Sequence, residues 1–166
     1  MNLNLEEYLR AVENQAKPLI IPLSTEMKIP RLSPMDVYLG LQNGNGFLLE
    51  STEGSEKIAR YSFIGIDPQL LVSIDDTIKL EGDKKLISIA ESPEGKTAVE
   101  KIKSIMNRFS FINVKAPRFF GGMVGYFAYD LVYSLFDKVR RDTIRDIETP
   151  RRVLFRQKSY IVFDHA

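Results

Sequence analysis

The chain has 166 residues, 44% of them hydrophobic and 27% charged, with a formal net charge of +1 at pH 7. That balance suits a core-forming domain and gives no bulk pull toward nucleic acid. It contains no cysteine and one histidine, His165, so disulfides, Cys-based zinc sites, thiol nucleophiles and a two-histidine metal site are all excluded, and a reducing cytoplasm fits. No apolar run reaches the roughly 18 residues of a membrane helix. The opening MNLNLEEYLR is acidic and amphipathic, unlike a signal peptide.

The pattern NLEEYLRAVENQA predicts a first helix. Leu5, Leu9, Val12 and Ala16 share a face, and Asn4 with Glu7 makes a capping-box start. PLIIPLST reads as a short strand that Pro22 confines to an edge or a bend. SPMDVYLGLQNGNG reads as a second helix, with Ser33 as cap, Pro34 at the first helical position and Gly44 or Gly46 at its end. Phe47 to Ser51 is a strand, TEGSEK a turn, and Ala59 to Asp67 a second strand that alternates Tyr61 and Phe63 against Ser62 and Ile64. LLVSIDDTIKLEGDKKLISIAE reads as short antiparallel strands broken at Asp75-Asp76 and Gly82-Asp83. TAVEKIKSIMNRF is a third helix with a Thr97/Glu100 capping box and a stripe of Val99, Ile102, Ile105, Met106 and Phe109. RFFGGMVGYFAYDLV is apolar with three glycines, DKVRRDTIRDIETPRR is a polar loop, and Val153 to Phe163 is the last strand. The expected class is α+β, a mostly antiparallel, sandwich-like sheet with three or four flanking helices, in one domain.

Glu50 and Ser51 end an apolar run where a plain core strand has no use for them. Strand alternation puts Leu48 and Glu50 on one side, Leu49 and Ser51 on the other. Two readings stand. Glu50 is the solvent end of the strand, or the pair sits at the mouth of an apolar pocket. There a carboxylate suits an ammonium group and a hydroxyl donates or accepts. No phosphate-binding loop is present: G-x-x-x-x-G-K-[ST] is absent, and no G-x-G-x-x-G opens a helix. The GGMVG glycines serve close strand approach or bending. Arg60 is expected to pair with Glu50 or another carboxylate. Tyr126 and Tyr129 read as core residues with edge hydroxyls, and Asp130 as the N-cap of DLVYSLF.

FLLEST followed by ARYSFIGIDP resembles the N-terminal domain of anthranilate synthase component I. FFGGMVGYFAYDLV resembles the second signature of that domain, and FRQKSYIVFDHA its closing strand. The three blocks keep the family's order over about Leu19 to Ala166. Aminodeoxychorismate synthase component I shares the domain. The resemblance implies an enzyme that converts chorismate and ammonia to anthranilate and pyruvate with magnesium, the ammonia coming from a glutamine amidotransferase subunit. It implies that the chemistry, and the magnesium, belong to a C-terminal chorismate-binding domain lying outside this chain. No catalytic or metal residue and no cofactor is then expected here, and the 166-residue chain alone is expected to be inactive. The N-terminal domain would pack on that partner, and tryptophan would bind between them as feedback inhibitor. Leu48, Leu49, Glu50 and Ser51 match the Leu-Leu-Glu-Ser motif that lines the inhibitor site. Arg60, Tyr61, Tyr126 and Asp130 are structural or interface candidates. The sequence departs from the family after YDLV, where Tyr133 stands for an expected arginine and Asp137 is the nearest acid. A stand-alone amino-acid-binding module is the alternative.

Overall fold

The computed structural model describes residues 4–13, 17–28, 31–50, 60–75, 77–112, 119, 121–129, 131–136 and 152–165. Helices are α1 (Leu5–Val12), α2 (Pro34–Leu41), α3 (Lys84–Ala90), α4 (Ala98–Met106) and α5 (Leu131–Leu135). Strands are β1 (Leu19–Ile20), β2 (Phe47–Leu49), β3 (Tyr61–Ile74), β4 (Ile78–Gly82), β5 (Ser110–Phe111), β6 (Val124–Phe127) and β7 (Arg152–Asp164). The class is α+β, as expected. The chain divides into two compact units: Met1–Pro68, Phe109–Gly122 and Gln157–Ala166 form one, Gln69–Arg108 and Met123–Arg156 the other.

Three helices start on reciprocal caps. Asn4 with Glu7, Ser33 with Asp36 and Thr97 with Glu100 each exchange side-chain and backbone hydrogen bonds, which satisfies amides that a helix start leaves open. Pro34 stands at the first turn of α2, where its missing N–H costs nothing. α2 ends at Leu41, ahead of Gly44 and Gly46.

In the first unit, β2 pairs antiparallel with β3, Phe47 opposite Gly65, Leu48 opposite Ile64 and Leu49 opposite Phe63. Ile64 is fully buried and Ser62 nearly so. A Cβ at Gly65 would overlap the Phe47 ring and the Cγ of Gln157, so only glycine allows this approach. Aromatic rings link up here: Phe63 meets Phe119 edge-on at 5.6 Å, and Phe119 meets Tyr160 at 5.5 Å. β1 and β5 form a two-residue parallel pair that stops short of Pro22.

In the second unit, β4 pairs antiparallel with Leu70–Ile74 of β3, and β6 with the first residues of β7. Leu70, Val72, Ala90 and Ile105 are completely buried. A Cβ at Gly125 would collide with the Val153 carbonyl, which is the close strand approach expected of the GGMVG stretch.

Three expectations are corrected. The residues after Asp67 do not begin a new strand, because β3 runs on through Pro68 to Ile74. Asp67 takes φ 52°, a left-handed turn of backbone that aspartate tolerates. The stretch KKLISIA is helix α3, not a strand. The Asp83 carboxylate accepts from Lys85 N and Leu86 N at its start. The Arg108 guanidinium donates to the carbonyls of Ile89, Glu91 and Ser92 at its end. Tyr126 and Tyr129 are not core: they are 45% and 85% exposed. β6 leaves both faces of its Tyr126-Phe127 end open, and Tyr129 follows in a turn.

Gln157 is 2% exposed, and among the described residues neither its amide oxygen nor its amide nitrogen has a hydrogen-bond partner. A buried amide without partners costs about 1–3 kcal/mol. Gln157→Leu should therefore raise Tm by about 3–8 °C in a scanning calorimeter. A fall in Tm would mean the amide is satisfied. Glu100 supplies a pH test. The backbone N–H groups of Thr97 and Lys96 hold its carboxyl below the usual range. A lowered folded pKa stabilises above the unfolded value and is lost as pH falls. The stability gap between the chain and Glu100→Gln should stay constant from neutral pH to about 5 and close below about pH 4. Far-UV circular dichroism melts check it.

Candidate functional site

Leu48 is half-buried and Leu49 is 47% exposed at the end of β2. Glu50 follows the strand and is exposed. Ser51 and Asp130 lie outside the described residues, as does the TEGSEK turn. Continuing the β2–β3 register by one residue sets Glu50 across from Ser62. Directly opposed residues of an antiparallel pair share a face. Glu50 therefore belongs to the face that carries Leu48, buried Ile64 and buried Ser62. Glu50 itself is exposed, at the edge of that face.

On the other side of β3 lies the end of β7, to which β3 is also paired. The Arg60 guanidinium donates to both oxygens of Asp164, at 2.6 and 2.5 Å. This fork keeps Arg60 protonated, its pKa pushed further up chiefly by the hydrogen bonds to Asp164. Glu50 is thus not the partner of Arg60. The guanidinium also lies 5.1 Å from the centre of the Tyr61 ring. One residue further, His165 N donates to the Arg60 carbonyl at 2.9 Å. Ser62 Oγ and His165 Nε2 are 2.8 Å apart, and the imidazole stacks on Phe163. Sequence reasoning used His165 only to exclude a two-histidine metal site. Its link to Ser62 joins residues 103 apart in the chain and leaves no local signature.

The result is a polar row. Glu50, Ser62 and His165 stand on three neighbouring strands, with Arg60 and Asp164 beside them. A carboxylate, a hydroxyl and an imidazole so arranged can bind a ligand that carries both charges. The Ser62 hydroxyl is nearly inaccessible, which is unsuited to nucleophilic attack. The second unit has a shallow cleft lined by Glu94, Glu100, Lys103, Ser104 and Arg108. Three of those side chains are already committed to backbone: Glu100 to Lys96 and Thr97, Ser104 to Glu94, Arg108 to the end of α3. Among the described residues no three His, Cys, Asp or Glu groups gather as metal ligands. No helix among them is long and apolar enough to cross a membrane.

An α+β domain with a charged row at the end of its paired strands is the class of protein these features define. Comparison with known proteins then supplies the relationship. Anthranilate synthase component 1 of Aquifex aeolicus is 36% identical over 135 residues, which cover 80% of this chain and 26% of that protein. The same enzyme of Acetivibrio thermocellus is 36% identical over 152 residues, 88% of this chain and 29% of its own length. That of Pseudomonas aeruginosa is 31% identical over 167 residues, 98% and 33%. The chain is therefore a relative of anthranilate synthase component 1, and it spans a third or less of the length of these curated relatives. No protein-family model matches it. The crystal structure of anthranilate synthase component I from Streptococcus pneumoniae TIGR4 aligns with a TM-score of 0.40 and 22% identity, over 86% of this chain and 30% of that one. At that score the likeness adds nothing to the relationship.

The Arg60–Asp164 fork generates a prediction. Arg60→Lys should lose the two-pronged geometry and lower Tm nearly as much as Arg60→Ala does. A double-mutant cycle with Asp164→Ala in calorimetry should give a coupling that fades toward 1 M salt, because both side chains are close to half exposed. Zero coupling at low salt would remove the fork from the account of the fold.

Proposed function

We propose that the chain is the N-terminal, regulatory domain of an anthranilate synthase component I. The observation that carries this reading is the lopsided alignment: most of this chain matches, while at most a third of each relative does. In this reading the chorismate chemistry, its magnesium and the contact with a glutamine amidotransferase belong to the remaining length of such a subunit. The absence of cysteine supports a cytoplasmic setting.

The domain then contributes the tryptophan feedback site. Leu48, on the same face, offers apolar contact to an indole, and Glu50 offers its carboxylate to the α-ammonium. Its place supports that role. An exposed carboxylate beside apolar Leu48 is open to a ligand's ammonium group. Ser51 completes the motif. Inhibition requires that tryptophan bind one arrangement of the subunit better than the one that turns over chorismate, because equal affinity shifts nothing.

Two measurements test this reading. The 166-residue chain mixed with chorismate, ammonium and magnesium should produce no fluorescent anthranilate. Calorimetric titration should show L-tryptophan binding that Glu50→Gln weakens by more than about tenfold, the scale of a charge-assisted hydrogen bond. Turnover by the chain alone, or tryptophan binding indifferent to Glu50, would overturn it.

A further inference from the structure

We propose that His165, oriented by Ser62, is the hydrogen-bond-donating end of the amino-acid site and receives the α-carboxylate of the ligand whose ammonium Glu50 holds. This rests on the tryptophan reading above and names a residue that the Leu-Leu-Glu-Ser motif does not contain. The geometry points to it in three steps. First, β3 lies between β2 and β7. The β2–β3 register continued by one residue sets Glu50 across from Ser62, and Ser62 Oγ meets His165 Nε2 at 2.8 Å, so Glu50 and His165 approach Ser62 from opposite edges of β3. Second, the imidazole is held at three points: Nε2 against Ser62 Oγ at 2.8 Å, backbone N–H on the Arg60 carbonyl, and the ring stacked on Phe163. A ring so fixed costs a ligand little ordering entropy.

Third, the charges sort themselves. Arg60 is a cation near the row, but both oxygens of Asp164 already engage its guanidinium. His165 is exposed, and its bond to Ser62 uses Nε2. With Ser62 donating to Nε2, Nδ1 presents an N–H to an anion. Ser62 acts here as a positioning residue, since its hydroxyl is buried and reaches the ligand only through the imidazole.

His165 is the chain's one histidine, so its imidazole ¹⁵N resonances are unambiguous. They should be followed while the chain is titrated with L-tryptophan, with tryptamine, which lacks the carboxylate, and with indole-3-propionate, which lacks the ammonium. Tryptophan and indole-3-propionate should move the imidazole signals, and tryptamine should leave them in place. His165→Ala should weaken tryptophan and indole-3-propionate about tenfold and change tryptamine by less than about twofold. Glu50→Gln should do the reverse, weakening tryptophan and tryptamine and sparing indole-3-propionate. Imidazole signals that stay fixed at saturating tryptophan, while Glu50→Gln still weakens binding, would overturn the role of His165 and leave the tryptophan reading standing. No binding of tryptophan to the unmodified chain would overturn both. The imidazole titration uses no variant, so it stands even if His165→Ala unfolds.

Discussion

The join between the start of β3 and the end of β7 is the constraint on which the first unit depends. Two strands of 14 and 13 residues have many ways to slide past each other. A slip of one residue would turn Ile64 and Ser62 outward and Phe63 inward. Apolar contact alone discriminates poorly among such registers. The Arg60–Asp164 fork does better, because two parallel hydrogen bonds are satisfied in one alignment only. An exposed ion pair adds little net stability. Its contribution is positional: with that register set, His165 falls beside Ser62, and the charged row has its far end.

The strand pair β2–β3 separates two chemistries by alternation. Phe47, Leu49 and Phe63 share one face with Gly65, and their rings reach Phe119 and Tyr160. Leu48, Ile64 and Ser62 share the other, and Glu50 continues it. One strand thus carries an aromatic wall on one side and a polar rim on the other. Gly65 makes the pairing possible, because any side chain there would displace both the Phe47 ring and Gln157.

Much of this was legible in the sequence wherever the cause is local. The capping residues of α1 and α4 lie three positions apart and announce themselves. So does Ser33-Pro34 at the head of α2. The strand ends around Leu49 and Asp164 follow from alternation. What stayed hidden has distant causes. KKLISIA carries enough isoleucine and leucine to pass for a strand. Its helical state is sealed by Arg108, 19 residues beyond Ile89. The partner of Arg60 could not be chosen among 22 acidic residues without the fold, because it lies 104 positions away. Tyr126 and Tyr129 sit in an apolar run that reads as core, and only the open end of β6 shows them exposed. For the site, the motif pointed to Glu50 from sequence, whereas the face it occupies and the neighbour His165 required the register.

The Asp67-Pro68 step inside β3 has a consequence for biosynthesis. A ribosome makes β3 long before β7, so roughly a hundred residues must be added before the strand meets that partner. Until then one edge of a long apolar strand is open to other nascent chains. A proline has no amide hydrogen to offer an invading strand, and the left-handed aspartate before it bends the ladder. Any intruder could zip along half of the strand at most. The same two residues that interrupt an otherwise regular strand thus act as a gatekeeper for the interval between translation and closure.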